Sequence, residues 1–449
     1  MPNTSNLVRW FVDSIADRGR AFLNSPARST LEKLCEDLVS ERGEASGMAI
    51  AVEIISRYAA FSDAEKLAFF QSLLGREWLA DPKEILRLAQ AYHDQPGPAE
   101  LAQLFEVTEP RRQDLFRRIN MSPHGTGSIV AMRQDLLRLL PQHPSLEPIN
   151  TDMLHLLGSW FNRGFLELRR IDWRTPALVL EKLIQYEAVH EIQGWPDLRR
   201  RLERDRRCFA FFHPALPDEP LIFVEVALTE GMASAIQPLI DMNRTEFTNS
   251  SATAKADTAV FYSISNCQEG LRNISFGAFL IKQVVHELQT ELPNLKSFVT
   301  LSPIPRFREW LTAQGLVTHN IAPDSFPDLK TIAKAVITKT PATKTAAAQK
   351  AVLRACAEYL TLRRKDGRAY DPVAAFHLSN GASIERLNWL GDASEKGLRQ
   401  SYGLMVNYAY RPARIERNHE QYAKHGKFAM SPEVSELLEP IATPAAKKG

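Results

Sequence analysis

Up to Pro141 the apolar residues of this chain recur at helical intervals; after Pro148 they gather into short runs rich in Val, Ile and Phe. That change of texture demands two architectures, because a 3.6-residue period buries one stripe of a helix whereas a compact β-branched run buries a strand. Leu7, Phe11, Ile15 and Phe22 keep helical spacing. Ser29 with Glu32, and Ser62 with Glu65, have the spacing of capping boxes ahead of apolar residues at helical intervals. Asp81-Pro82 opens a further helix, the aspartate as N-cap and the proline at the first helical position. A Pro/Gly stretch, 121–127, interrupts the pattern, and Ile129–Leu140 resumes it. It lacks the Gly-Lys-Ser/Thr ending of a phosphate loop and reads as a helix-to-helix turn. No convincing strand precedes Pro141, so residues 1–150 are expected to form an all-helical domain, with Pro141 to Pro148 as linker.

Residues 151–449 read as α/β. Phe165–Trp173, Cys208–His213, Leu221–Leu228, Thr258–Ser265 and Phe298–Leu301 are expected strands, bounded by turn residues. Thr175-Pro176 starts a helix running to about Tyr186, and Ile274–Leu288 and Arg306–Ala313 are expected helices. Alanine-rich Thr343–Leu362 reads as part of a helical insertion near 325–365. Ala374–Ser379, Asn380-Gly381 and Ala382–Trp389 predict a hairpin, because Asn-Gly suits a type I′ turn. Alternating strands and helices suit a ligand crevice at strand ends.

Composition removes several classes of function. A chain of 449 residues holds two or three domains, and 44% hydrophobic with 24% charged residues is ordinary for a globular core. A net charge of +2 gives no global field for nucleic acid. The apolar runs stop well short of the ~18 residues of a membrane span. Cys35, Cys208, Cys267 and Cys356 lie far apart without a CxxC pair, against a disulfide framework or a zinc site and in keeping with a reducing compartment. Met1 to Leu23 has no continuous apolar stretch and carries Asp13 and Asp17 among its arginines, and the end, Ala445 to Gly449, has no peroxisomal or retention tripeptide. The cytoplasm is expected. The eleven histidines show no HExxH or paired metal spacing, so no metal is expected.

Three segments carry candidate chemistry. From Ser263 to Ala278 a strand ends, a polar turn follows and a helix begins; unpaired N–H groups at such a helix start attract anions, and Gly270 and Gly277 would admit a ligand to the backbone. The alternative is a plain strand-to-helix connection with Asn273 as N-cap. Ser302 lies between a buried strand and a helix, held by Pro303 and Pro305, which fix φ. It is either a preorganised hydroxyl at a sheet end or a capping serine; no GxSxG elbow supports a hydrolase nucleophile. His377, read as a strand residue facing away from Phe376 and Leu378, is either a satisfied core or surface histidine or a catalyst. The arginines at 199, 200, 201, 204, 206 and 207 form either a solvated face or a phosphate site.

Together these segments resemble the malonyl-CoA decarboxylase family, over nearly the whole chain to about Tyr422. The resemblance is carried by six separated blocks in order: Phe261 to Ser265, Gly277 to Lys282, Leu301 to Pro305, His377 to Ala382, Arg386 to Trp389 and Gly403 to Tyr408. It implies a helical N-terminal domain used in oligomerisation, followed by a catalytic α/β domain of the GNAT acyltransferase-like fold. It implies conversion of malonyl-CoA to acetyl-CoA and carbon dioxide by a cytoplasmic homo-oligomer, dimer or tetramer, of bacterial type. Ser302 and His377 map to the family's catalytic pair and Tyr410 to a family tyrosine. Arg272, Asn273, Ile274, Ser275, Phe276, Gly277 and Ala278 map to the loop that binds the CoA thioester. Some members carry glutamate where this chain has Ser275, so no carboxylate role transfers there.

The residue types suit that reaction. Losing carbon dioxide leaves an enolate, and the thioester is itself the electron sink, so neither metal nor organic cofactor is needed. His377 is expected to protonate the enolate carbon, with Ser302 orienting the malonyl group or relaying a proton, since imidazole exchanges protons near neutral pH. The alternatives are an acyl-CoA-dependent N-acyltransferase of the same fold and a catalytically silent CoA-binding regulator.

Overall fold

The computed structural model describes residues 30–40, 43–242, 255–274, 280–313 and 343–439. The helix expected over Leu7 to Phe22, Ser29 of the first capping box, loop residues 275–278 and residues 325–342 of the expected insertion lie outside the described residues. The chain divides into two compact units: Met1–Glu167 with His213–Glu219 and Gln268–Phe276, and Leu168–Phe212 with Pro220–Cys267 and Gly277–Gly449.

The described part of the first unit is helical: α1 (Leu31–Ser40), α2 (Glu44–Ala59), α3 (Asp63–Ser72), α4 (Pro82–Asp94), α5 (Pro98–Thr108), α6 (Arg111–Asn120), α7 (Gly125–Leu139) and α8 (Glu147–Trp160). Local chemistry sets their ends as the sequence indicated. The Glu65 N–H donates to Ser62 Oγ while Glu65 Oε2 accepts the Ser62 N–H, closing the capping box of α3. Asp81 accepts the Lys83 N–H ahead of Pro82 at the start of α4. The Pro/Gly stretch is a tight connection from α6 to α7, as expected. A Cβ on Gly125 would lie 1.9 Å from the Ile119 carbonyl oxygen, so only glycine fits there. Leu34, Phe70, Leu115, Phe116, Ile129, Leu136 and Met153 on the apolar faces are buried.

The second unit is built on a mixed sheet of β1 (Glu167–Ile171), β2 (Arg206–Phe212), β3 (Ile222–Thr229), β4 (Thr258–Asn266), β5 (Ser297–Thr300), β6 (Ser302–Pro303), β7 (Ser383–Asn388) and β8 (Met405–Ala409). The spatial order is β1-β2-β3-β4-β5-β8-β6, with β7 also paired to β8. β2, β3 and β4 run antiparallel; β4 and β5 are parallel, joined through α12 (Leu280–Glu291), which follows α9 (Ala177–Tyr186), α10 (Trp195–Arg201) and α11 (Gln237–Ile240) in chain order. One face buries Ile171, Leu183, Leu198, Phe212 and Phe223; another core holds Val260, Tyr262, Val299, Leu301 and Met405. A helical unit and a mixed α/β unit are the fold class expected from sequence.

One feature of the sheet positions the site. β4 and β5 pair only from Thr258 to Phe261, and the Leu301 N–H to the Phe261 carbonyl is the last bond between them. Beyond it β4 continues to Asn266 on β3, while Ser302 and Pro303 turn to pair with Val406 and Met405 of β8. The two parallel neighbours therefore part at Ser302.

Two readings from sequence are corrected. Residues 374–379 are not a strand: after α13 (Phe307–Ala313) and α14 (Thr343–Thr361), α15 runs from Pro372 to Ser379. Its start repeats the Asp-Pro device, Asp371 accepting the Ala374 N–H. Its end is a Schellman motif, not a hairpin: Ala382 N–H donates to His377 O, Gly381 N–H to Leu378 O, and Gly381 has φ +81°. The arginine cluster is neither a solvated face nor a phosphate site at four of its members. Arg200 pairs with Asp205, Arg201 with Asp197 and Glu225, Arg206 with Asp205, and Arg207 with Glu291, all four guanidinium groups being buried. Arg199 and Arg204 are exposed. A buried cation is tolerated only with such partners.

Candidate active site

The parting of β4 and β5 brings Ser302, His377 and Tyr410 together. Ser302 is set by β6. His377 sits on the last turn of α15, whose two capped ends fix where its ring emerges. A Cβ on Gly381 would lie 2.2 Å from the Ile415 carbonyl oxygen, so the close approach behind the helix also requires glycine. Tyr410 follows β8, and its N–H donates to the Phe298 carbonyl at 2.8 Å.

The three side chains form a continuous hydrogen-bonded line. Ser302 Oγ lies 3.1 Å from His377 Nε2, and His377 Nδ1 lies 2.7 Å from Tyr410 Oη. All three residues are buried. The imidazole stacks on Tyr408 at 4.5 Å between ring centroids and 25° between planes, and meets Tyr410 edge-on at 6.0 Å. Tyr408 and Tyr410 are two residues apart and so share a side of the strand direction.

Burial sets the protonation states. It pushes the His377 imidazole down to about 3, so the ring is neutral at pH 7. It pushes the Tyr410 phenol well above its usual range, so the hydroxyl keeps its proton. A neutral imidazole has one N–H, so one ring nitrogen donates and the other accepts.

Ser302 and His377 stand in the wall of a cavity of about 250 Å³, together with Phe261, Ser263, Ile264 and Asn266 of β4 and Pro372, Val373 and Phe376 of α15. No lysine, arginine, aspartate or glutamate is among its described lining residues. Ser263 Oγ donates to the buried Glu187 carboxylate at 2.6 Å, so that acid is engaged.

The predicted thioester loop divides. Arg272, Asn273 and Ile274 belong to the helical unit, while Ser275, Phe276, Gly277 and Ala278 lie outside the described residues. Arg272 is exposed near Glu269, Asn273 has φ +67°, and Ile274 is buried. Buried Arg133 of α7 holds this turn, donating to the carbonyls of Gly270 at 2.5 Å and Arg272 at 2.9 Å. Gly270 is required by helix packing rather than by a ligand: a Cβ there would lie 2.0 Å from the Val130 carbonyl oxygen. The helix expected from Ile274 is described from Leu280.

Sequence reasoning missed Thr300, whose Oγ1 accepts the Ser302 O–H at 2.9 Å and the Tyr408 N–H at 3.1 Å. It also missed Tyr408 as the ring beneath His377, although its spacing from Tyr410 was a usable signal. Asn407 and Asn388 brace the same strand ends: Asn407 Nδ2 donates to the Thr300 carbonyl at 2.6 Å and Asn388 Nδ2 to Asn407 Oδ1 at 2.8 Å. Among the described residues no group of three His, Cys, Asp or Glu is placed to hold a metal ion, and no helix is long and apolar enough to cross a membrane.

The comparisons agree over nearly the whole length. The family "Malonyl-CoA decarboxylase C-terminal domain" matches residues 164–448, and "Malonyl-CoA decarboxylase N-terminal domain" matches residues 78–161. The mitochondrial malonyl-CoA decarboxylase of Anser anser anser is 32% identical over 430 residues, covering 88% of this chain and 84% of that protein. The crystal structure of malonyl-CoA decarboxylase from Agrobacterium vitis superposes with a TM-score of 0.83 at 48% identity, covering 92% of this chain and 100% of that one. The one from Rhodopseudomonas palustris gives 0.82 at 46% identity, over 90% and 98%. With both domain descriptions matched in order and the fold shared throughout, this chain belongs to the malonyl-CoA decarboxylase family.

Proposed function

We propose that this chain decarboxylates malonyl-CoA to acetyl-CoA and carbon dioxide without metal or organic cofactor, and that His377 supplies the proton. The observation that carries this reading is the Ser302–His377–Tyr410 line ending at a cavity whose described lining bears no ionic group. The C–C bond to the carboxylate breaks, its electron pair moves into the thioester as an enolate, carbon dioxide leaves, and the carbon takes one proton.

A carboxylate held without a counter-cation is poorly stabilised, whereas the enolate spreads its charge toward hydrogen-bond donors; that difference lowers the barrier. A donor aimed at the enolate oxygen contributes ~2.7–4 kcal/mol, and a placed general acid ~10²–10⁴ in rate. The proton comes from neutral imidazole, directly from Nε2 or through Ser302 Oγ, and is restored from solvent. Neutral imidazole is an established electrophile toward enolates. The edge of β4 beyond Phe261 is left by β5 and supports pantetheine amides laid along it.

The same reading has the chain work in the cytoplasm as a homo-oligomer. Exposed Leu86 on α4 and Leu101 and Phe105 on α5 support a second copy as their cover, which light scattering tests.

Purified protein incubated with malonyl-CoA and a chelator should release acetyl-CoA and carbon dioxide in equal amounts. No turnover while CoA esters still bind would overturn the reading. Ser302→Ala and His377→Asn should each lower kcat by ~10²–10⁴.

A further inference from the structure

Resting on that functional reading, we propose that Thr300 is a positioning residue that fixes which nitrogen of His377 carries the proton. Thr300 lies on β5 with no exposed surface. Its Oγ1 accepts the Tyr408 N–H at 3.1 Å and the Ser302 O–H at 2.9 Å.

A serine hydroxyl has one proton. With that proton directed to Thr300, Ser302 Oγ offers only lone pairs to His377 Nε2, 3.1 Å away. Nε2 must then be the protonated nitrogen. Nδ1 is left bare, and it accepts the Tyr410 O–H at 2.7 Å. The bonds therefore run one way: Tyr410 to His377, His377 to Ser302, Ser302 to Thr300.

In that direction the imidazole presents its N–H to the cavity wall formed by Ser302. The opposite direction puts the imidazole proton on Nδ1 and requires the Ser302 O–H at Nε2, away from Thr300. Thr300 is not among the described lining residues of the cavity; it reaches the imidazole proton through Ser302, and its bond to the Tyr408 N–H anchors it to β8. Asn407, donating to the Thr300 carbonyl at 2.6 Å, holds the residue in place.

The test is ¹⁵N NMR of the full chain labelled at histidine, with His377 assigned by its loss in His377→Asn. Native protein should show a pyrrole-like Nε2 and a pyridine-like Nδ1. Thr300→Val removes the acceptor at nearly constant shape; Ser302 then turns its proton to Nε2, and the tautomer should move to Nδ1–H. Decarboxylation kcat should fall at least about tenfold with KM little changed, since proton delivery is lost and binding is not. Thr300→Ser keeps the oxygen and should restore both the tautomer and kcat.

Native protein with Nδ1–H overturns the proposal, and so does Thr300→Val that keeps both Nε2–H and native kcat. Should Thr300→Val fail to fold, the native spectrum and Thr300→Ser still decide. The tautomer is read without substrate, so absence of decarboxylation alongside the predicted spectrum counts against the function and leaves the positioning role standing.

Discussion

Replacing Tyr410 with phenylalanine removes one oxygen from the site and keeps the ring, including its edge contact with Phe261 at 6.4 Å. No cavity opens, so the effect reports the 2.7 Å bond to His377 Nδ1. In the resting enzyme that bond joins two neutral groups, worth about 0.5–1.5 kcal/mol net. In the proposed mechanism Nε2 gives its proton toward the substrate, so the ring gains negative charge and the same bond becomes one to a charged group, worth about 1.5–3 kcal/mol.

Only the difference, about 1–1.5 kcal/mol, acts on the chemical step, because stabilisation common to both states cancels. At 1.36 kcal/mol per decade, kcat should fall about 5- to 13-fold. Tyr410 is not in the cavity lining, so KM should stay within about twofold. Acetyl-CoA and carbon dioxide measured together at saturating malonyl-CoA give kcat, and urea unfolding gives the accompanying loss of about 1 kcal/mol in stability. An unchanged kcat with that stability loss would refute the charge argument and leave the bond structural. A loss of about 10³ would refute it from the other side, making Tyr410 itself the acid.

Stability should also follow pH through His377. Its folded pKa of about 3 lies below the ~6.5 of an unfolded histidine, so the unfolded chain binds the extra proton as pH falls below ~6.5. Native protein should lose about 2 kcal/mol more than His377→Gln between pH 7 and pH 5, read by urea titration. Arg133→Met strands the Gly270 and Arg272 carbonyls inside the helical unit and should cost about 3 kcal/mol of stability, seen as a lower unfolding midpoint. Gly381→Ala meets both a φ of +81° and the Ile415 carbonyl; it should destabilise by more than about 1 kcal/mol and lower kcat, since it displaces the helix carrying His377.

The sequence signals that held were local ones. Ser62 with Glu65, and Asp81 with Pro82, satisfy orphan N–H groups within one turn, so their meaning does not depend on the rest of the chain. The same Asp-Pro pair at 371–372 announced α15, but Asn380-Gly381 was read as a type I′ turn. A left-handed glycine ends a helix as readily as it turns a hairpin. The run between them is nearly all apolar, with no stripe to separate helix from strand. The arginines failed for the opposite reason. Arg201 finds Glu225 across 24 residues and Arg207 finds Glu291 across 84, distances over which a local reading sees only charge. The family resemblance singled out Ser302 and His377 as candidates; it did not single out Thr300, whose contact with the Tyr408 N–H comes from a strand more than a hundred residues away.

Five described arginines of the second unit, at 200, 201, 206, 207 and 354, are buried, and every one pairs with a carboxylate, while the cavity wall beside Ser302 and His377 has no described cation. If the absence of a counter-charge helps expel carbon dioxide, adding one should bind the substrate better and turn it over worse. Phe376 is the place to try, because it lines the cavity yet is 36% exposed, leaving room for a long side chain to reach. Phe376→Lys should lower KM for malonyl-CoA by stabilising the bound carboxylate, and should lower kcat because that stabilisation fades as the charge moves to the thioester. Acetyl-CoA lacks the carboxylate, so its inhibition constant should stay near native and separates charge from shape. A Phe376→Lys enzyme with raised kcat would show that the carboxylate needs a cation to leave, and Phe376→Met reports the loss of the ring alone.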